Sequence, residues 1–295
     1  MKSRVRLGVA VAVAIAVLAM SASSPAGSLQ TQGSGTRYVD TVFAAVDVTG
    51  GVVYATPTGW DGTPVTLWAD VYEPRGDPAV DRRVVVLVHG GGFAKGTRSD
   101  LRGEAIEMAR RGYVAVAVDY RLRPDPTMTW CDFVPGGPDC DPRLADAIGD
   151  AAADVGAAVD AVRAAHEDMR VDPVEVAVMG WSAGAITALY LAHGTVPGGH
   201  GGAAPTPRIQ AAVSFMGAMA PDDVASGAAP VLMVHGTDDT VVPYAAAEAA
   251  TLAAEAAGDD SRLVSFPGVG HGFDPPDAAA AAGQAVAFLD GVLGP

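Results

Sequence analysis

A serine framed by glycines is the first residue set in this chain that could do covalent chemistry. Gly180-Trp181-Ser182-Ala183-Gly184 follows an apolar run, 174–179, and opens into helix-like residues 185–192. A strand, a Gly-x-Ser-x-Gly turn and a helix in that order lift one hydroxyl to the head of the helix, beside N–H groups that have no partner within it. The glycines keep the turn free of side chains that would clash with the strand and the helix. A chance match competes in a chain with 36 glycines, but the strand–helix context weighs against it.

A serine hydroxyl is a weak nucleophile near neutral pH. It needs a base, a group that orients the base, and donors for a developing oxyanion. For this kind of turn an acid and a histidine follow the serine in that order. The apolar run 231–234 leads into His235-Gly236-Thr237-Asp238-Asp239-Thr240-Val241-Val242-Pro243. A carboxylate there would stand at the end of a parallel strand, on the same rim as Ser182. Asp239, three residues before Val242-Pro243, is the preferred acid, and Asp238 is the alternative. His271, in Gly270-His271-Gly272-Phe273, is the one histidine of six that follows these acids. The run 84–88 ends in His89-Gly90-Gly91-Gly92-Phe93. The N–H groups of Gly91, Gly92 and Ala183 are therefore candidates for an oxyanion hole. His89 reads as a structural residue bonded within its loop. A phosphate loop is excluded because no Gly-Lys-Ser/Thr follows.

These residues need elements to hold them. Strands are expected at 38–48 and 52–55, as a hairpin about Gly50-Gly51, and at 65–72, antiparallel and near an edge. The runs 84–88, 113–118, 209–215 and 231–234 read as buried strands, and 174–179 and 262–266 as further strands. Helices are expected at 100–111, 144–166, 185–192, 244–257 and 277–293. Strands alternating with helices predict an α/β fold with a mostly parallel central sheet covered on both faces. Residues 37–295 form one domain on this reading. Asp146, Asp150 and Asp154 recur four apart and are expected on a solvated helix face rather than at a metal. His193 and His200 border a Gly/Pro-rich loop, 195–207, and are not expected to hold a metal either. No metal or cofactor is expected.

Composition limits the setting. Residues 1–26 carry Lys2, Arg4 and Arg6, then the apolar run 7–20 and small residues, the pattern of a secretory signal peptide. Cleavage after Ala22, Ser24 or Ala26 fits equally, and an uncleaved anchor is the alternative. Residues 27–36 form a flexible lead-in. Losing three basic residues and no acids would take the formal charge from −15 to −18. That disfavours nucleic acid and anionic membrane surfaces as partners. Cys131 and Cys140 are the only two cysteines. In an exported chain they suggest a disulfide worth about 2–3 kcal/mol, with two free thiols as the alternative.

Taken together, residues 65–293 resemble the α/β-hydrolase superfamily. His89-Gly90-Gly91-Gly92-Phe93 and the later Ala117-Val118-Asp119-Tyr120-Arg121-Leu122 are similar to the esterase/lipase branch, which includes carboxylesterases and acetyl or feruloyl esterases. The segments around Asp239 and His271 resemble dienelactone-hydrolase-like and peptidase-like members. The resemblance implies the α/β-hydrolase fold, a catalytic triad of Ser182, Asp239 and His271, and an oxyanion hole of Gly91, Gly92 and Ala183. Trp181 departs from the Asp or Gly more frequent before the nucleophile. The connection 216–229 is too short for a long helical cap, so little or no cap domain is expected. Only the loop 121–142 offers cover. Phe93, Trp130 and Trp181 are candidate substrate contacts, with ordinary packing an equal reading. The expectation is a secreted serine carboxylesterase acting through an acyl-enzyme on short acyl chains or on esters borne by a polymer. It would have no stable membrane insertion after signal cleavage. The alternatives are a serine peptidase or amidase of the same fold, and a non-catalytic binding protein built on it. Acyl and alcohol specificity and oligomeric state stay open.

Overall fold

Runs of valine and alanine build the centre of the molecule. In the computed structural model, strands β3 (Arg82–Val88) and β4 (Val114–Val118) are buried along their whole length. Their side chains alternate between two cores, as the pleat requires. Val84, Val86, Val114 and Val116 enter one core, and Val85, Leu87, Ala115 and Ala117 the other. A strand apolar on both faces is stable only inside a parallel sheet with helices on each side.

The structure describes residues 35–131, 133, 140–195 and 209–294. The expected signal peptide, nearly all of the lead-in, His200 with most of its loop, and Pro135-Gly136-Gly137-Pro138 lie outside the described residues. The remaining strands are β1 (Val46–Ala55), β2 (Leu67–Pro74), β5 (Val171–Trp181), β6 (Ala211–Phe215), β7 (Val231–Gly236) and β8 (Ser261–Phe266). They form one eight-stranded sheet in the order β1-β2-β4-β3-β5-β6-β7-β8. β2 runs antiparallel to both β1 and β4, and every pairing from β4 to β8 is parallel. Helices α2 (Pro142–Ala164), α4 (Ala183–His193) and α5 (Tyr244–Ala257) feed one core. Helices α1 (Arg102–Arg110) and α6 (Pro275–Val292) feed the other. A single turn, α3 (His166–Met169), follows α2. This is the α/β-hydrolase arrangement. Among the described residues, β6 and β7 are joined by residues 216–230 with one short 3-10 turn and no cap.

Three expectations change. The anticipated hairpin at Gly50-Gly51 is one continuous strand, β1, whose register with β2 slips between Thr49 and Val52. Gly51 takes φ +70° and donates its N–H to Asp70 Oδ1 at 2.8 Å, which makes the glycine pair a bulge rather than a turn. The strand expected from residue 38 begins only at Val46. Tyr38 instead turns at φ 71° and stacks against Tyr113 at 4.8 Å. Asp154 is not on a solvated face. It is 3% exposed and holds Arg121, whose Nε lies 3.0 and 2.9 Å from its two oxygens. Asp150 meets the same guanidinium at 2.8 Å. The four-residue spacing serves a cation from the β4–α2 loop, which relieves the repulsion between the acids.

Helix α4 is buried on all sides and therefore packs by backbone proximity. A methyl group on Gly184 would fall inside the Val88 carbonyl, whereas one on exposed Gly283 in α6 would meet nothing within 4 Å. Gly184→Ala should lower unfolding free energy by about 1–3 kcal/mol or more. Gly283→Ala should raise it by about 0.5–1 kcal/mol. Chemical denaturation of the two variants checks both signs.

Candidate active site

The turn between β5 and α4 puts Ser182 at φ 53°, ψ −117°, a positive-φ conformation rare for a residue with a side chain. Close approach enforces it. A Cβ on Gly180 would collide with the Gly184 carbonyl, and Ser182 N–H is anchored to Phe215 O on β6 at 2.9 Å. The hydroxyl is thereby held above the sheet at the N-terminus of α4, where the helix dipole favours negative charge.

His271 reaches Ser182 from the loop after β8. Its Nε2 lies 2.9 Å from Ser182 Oγ, and its Nδ1 lies 2.7 Å from Asp239 Oδ2. Asp239 is buried in the loop after β7 and accepts two backbone N–H groups at Oδ1, from Val241 at 2.8 Å and Val242 at 3.0 Å. Its neighbour Asp238 is exposed, and among the described residues its carboxylate accepts only from the Thr237 hydroxyl, at 3.2 Å, so the geometry separates the two acids. The loops carrying Asp239 and His271 are laced together. Thr237 N–H donates to Phe266 O at 3.0 Å, Asp238 N–H to Val269 O at 2.9 Å, and Gly268 N–H to Thr237 Oγ1 at 2.9 Å. Gly236 admits the second loop because it has no Cβ: any substituent would strike the Val269 carbonyl.

The loop after β3 forms the facing wall. Gly91, Gly92 and Phe93 all have positive φ, at 115°, 63° and 57°. A Cβ on Gly90 would lie 3.3 Å from Ser182 Cβ, which measures how closely this loop meets the serine. Among the described residues, the amides of Gly91, Gly92 and Ala183 donate to no protein acceptor. Unsatisfied donors beside a nucleophile are what an oxyanion needs. His89 stacks on Tyr120 at 4.3 Å, and its Nδ1 sits 2.7 Å from Gly90 O. Burial pushes its pKa down, which keeps it neutral and structural. Tyr120, whose hydroxyl donates to His89 O at 3.0 Å, was not singled out by sequence. Neither was Arg98, which binds the Asp119 carboxylate and ties the end of this loop to β4. Paired tyrosines and arginines at strand ends have no periodic signature, so only the fold exposes them.

The three aromatic candidates separate. Phe93 is 0% exposed and packs between Tyr120 and Trp130, at 6.2 and 6.1 Å, so it supports the loop and has no surface for a substrate. Trp130 is 41% exposed and approaches the Gly92 position, where a Cβ would lie 3.2 Å from its ring. Trp181 is half-buried and stacked on Phe215 at 5.0 Å. Cys131 and Cys140 are joined by a disulfide that brackets the loop next to Trp130. His193 is buried against the Ala225 carbonyl, at 3.2 Å.

Comparison with known proteins gives a consistent picture. The family model described as "Dienelactone hydrolase family" matches residues 69–288. The non-reducing polyketide synthase adrD of Penicillium rubens is 32% identical over 148 residues, which span 46% of this chain but 5% of that protein. The chain thus covers only a small part of the curated relatives it matches. Among solved structures, Thermogutta terrifontis esterase 2 phosphorylated by paraoxon has a TM-score of 0.65 at 24% identity, over 86% of this chain and 97% of that one. Its propionate-bound form has a TM-score of 0.63 at 25% identity, over 85% and 97%. These structural likenesses establish the shared fold.

An activated serine should react with a fluorophosphonate probe without any knowledge of substrate. We expect one label per chain, on Ser182, read by mass spectrometry. Ser182→Ala should abolish labelling, and His271→Ala should slow it by about 100-fold or more. Labelling elsewhere, or at an unchanged rate in His271→Ala, contradicts the activation.

Proposed function

The chain belongs to the dienelactone hydrolase family; from that premise we propose that it is a secreted serine carboxylesterase that works through an acyl-enzyme on Ser182. The observation that carries the reading is the pair of short contacts on His271, 2.9 Å to Ser182 Oγ and 2.7 Å to Asp239 Oδ2. Ser182 Oγ attacks the ester carbonyl while His271 Nε2 takes its proton. The carbonyl oxygen becomes an oxyanion and is received by the N–H groups of Gly91, Gly92 and Ala183. His271 then returns the proton to the departing alcohol, leaving the acyl group on Ser182. A water deprotonated by His271 attacks that acyl-enzyme, and collapse frees the acid and restores the hydroxyl. Asp239 fixes the imidazole tautomer with the proton on Nδ1 and stabilises its charged form.

Short acyl chains, or ester groups borne on a polymer, are the proposed substrates. The short β6–β7 connection supports this, because no cap among the described residues closes over Ser182 to enclose a long chain. Export is supported by the basic, apolar and small-residue sequence of 1–26. Among the described residues, no helix is long and apolar enough to cross a membrane.

With p-nitrophenyl acetate, Ser182→Ala should lower kcat by about 10⁴-fold or more, and Asp239→Asn by about 10³–10⁴-fold. Asp238→Asn should stay within about threefold of the parent. kcat/KM should fall from acetate through octanoate, and p-nitroacetanilide should be cut far more slowly than the ester. Acetylated xylan, feruloyl esters and a polyester film extend the panel to polymers. Activity retained in Ser182→Ala, a preference for octanoate, or faster anilide cleavage would each refute the corresponding part of this reading.

A further inference from the structure

Asp239 carries a donor that proton transfer between Ser182 and His271 does not require. His235 closes β7, four residues before the acid, and its Nε2 lies 3.1 Å from Asp239 Oδ2. That is the same oxygen that meets His271 Nδ1 at 2.7 Å. His235 Nε2 also lies 2.9 Å from the Val242 carbonyl. A carbonyl and an ionised carboxylate only accept, so Nε2 bears the proton; its hydrogen bond goes to the Val242 carbonyl, and Asp239 Oδ2 lies beside that N–H at ion-pair distance. The two imidazoles sit differently: the His235 side chain is fully buried, while that of His271 is 20% exposed.

The surroundings keep His235 in this one state. Its Nδ1 is buried and has no partner. The ring lies edge-on to Tyr244 of α5 at 6.0 Å, and the Tyr244 hydroxyl is engaged with Ser265 Oγ of β8 at 2.7 Å. The ionisable groups facing it are therefore Asp239, His271 and the Tyr244 phenol. Burial lowers the His235 pKa against the pull of Asp239, so the ring stays neutral. It is a constant donor beside an imidazole that must gain and lose a proton.

A carboxylate held through one oxygen can rotate, because its terminal torsion is soft and nearly two-fold. The Val241 and Val242 amides hold Oδ1 alone. We propose that His235 is a positioning residue for hydrolysis, whose Nε2–H, bonded to the Val242 carbonyl and 3.1 Å from Asp239 Oδ2, holds that oxygen by its dipole in the plane that His271 Nδ1 requires. This rests on the proposed roles of Ser182, His271 and Asp239.

The test compares three variants on p-nitrophenyl acetate across pH. Gln places an amide nitrogen near the former Nε2, Asn places one near Nδ1, and Leu provides no donor. His235→Leu should lose about 10- to 100-fold in kcat with little change in KM, the rate equivalent of one polar contact to a charged group. Its acidic limb of kcat/KM should move from the parental position, because a carboxylate free to rotate no longer meets His271 Nδ1 in the same plane. His235→Gln should recover most of the rate and the parental limb, and His235→Asn should not. Unchanged kinetics in His235→Leu would overturn the proposal. So would equal slowing in Leu and Gln with an unmoved acidic limb, which is the signature of lost packing alone. Should the Leu variant fail to fold, the Gln and Asn variants decide, and equal behaviour in those two sinks the clamp. Ser182→Ala run alongside keeps the two claims apart: its residual activity speaks against the parent reading, whatever His235 does.

Discussion

The backbone of Ser182 is bent into a conformation that costs of order 1–3 kcal/mol for a residue with a Cβ. The molecule sustains it by bringing backbone against backbone. Gly180 touches Gly184, Gly184 touches Val88, and Gly90 reaches the serine itself. None of these approaches leaves room for a methyl group. The strain is therefore over-determined by the packing of β3, β5 and α4. Releasing the bend would require pulling apart two parallel strands and a helix that is buried on every side.

That constraint sets where everything else must arrive. Parallel strands end on one rim, so the loops after β3, β5, β7 and β8 converge without long excursions. The loop after β3 has three successive residues at positive φ, and among the described residues the amides of Gly91 and Gly92 there have no protein acceptor. The loops after β7 and β8 carry Asp239 and His271 as one unit, bonded to each other through Thr237, Asp238 and Gly268. The spacing between Asp239 and His271 thus depends on local bonds rather than on motion of the whole sheet. Local lacing of this kind holds a 2.7 Å contact between residues 32 positions apart in the chain.

The side of the sheet away from this rim explains much of the remaining composition. Alanine fills α2, α4 and α5 because helices must lie close to a twisted sheet of valines. Several arginines pair with acids that are partly or fully buried. Arg121 crosses from the β4–α2 loop to Asp150 and Asp154, and Arg98 joins Asp70 to Asp119. Each of these ties a loop of the active-site wall to a neighbouring element. Fixed loops are what an oxyanion site needs, since donors that must reorganise during the reaction lose much of their effect.

The sequence by itself marked most of the parallel strands and helices and the order of Ser182, Asp239 and His271 along the chain. Apolar runs marked the buried strands β3, β4, β6 and β7 and the buried end of β5, because a strand covered on both faces has no polar alternation. The glycine-framed Ser182, the Asp pair and the last histidine were legible because their order along the chain follows the order of strand ends. Tertiary structure alone decided what short-range patterns do not encode. It turned Gly50-Gly51 into a bulge, since Asp70 across the sheet captures the Gly51 amide. It buried Asp154 under Arg121, a partner 33 residues away. It closed Phe93 off from solvent, set Asp238 outside and Asp239 inside, and brought His235 to the oxygen already used by His271. In each case the deciding term is a hydrogen bond or a contact between chain segments that only the closed sheet makes neighbours.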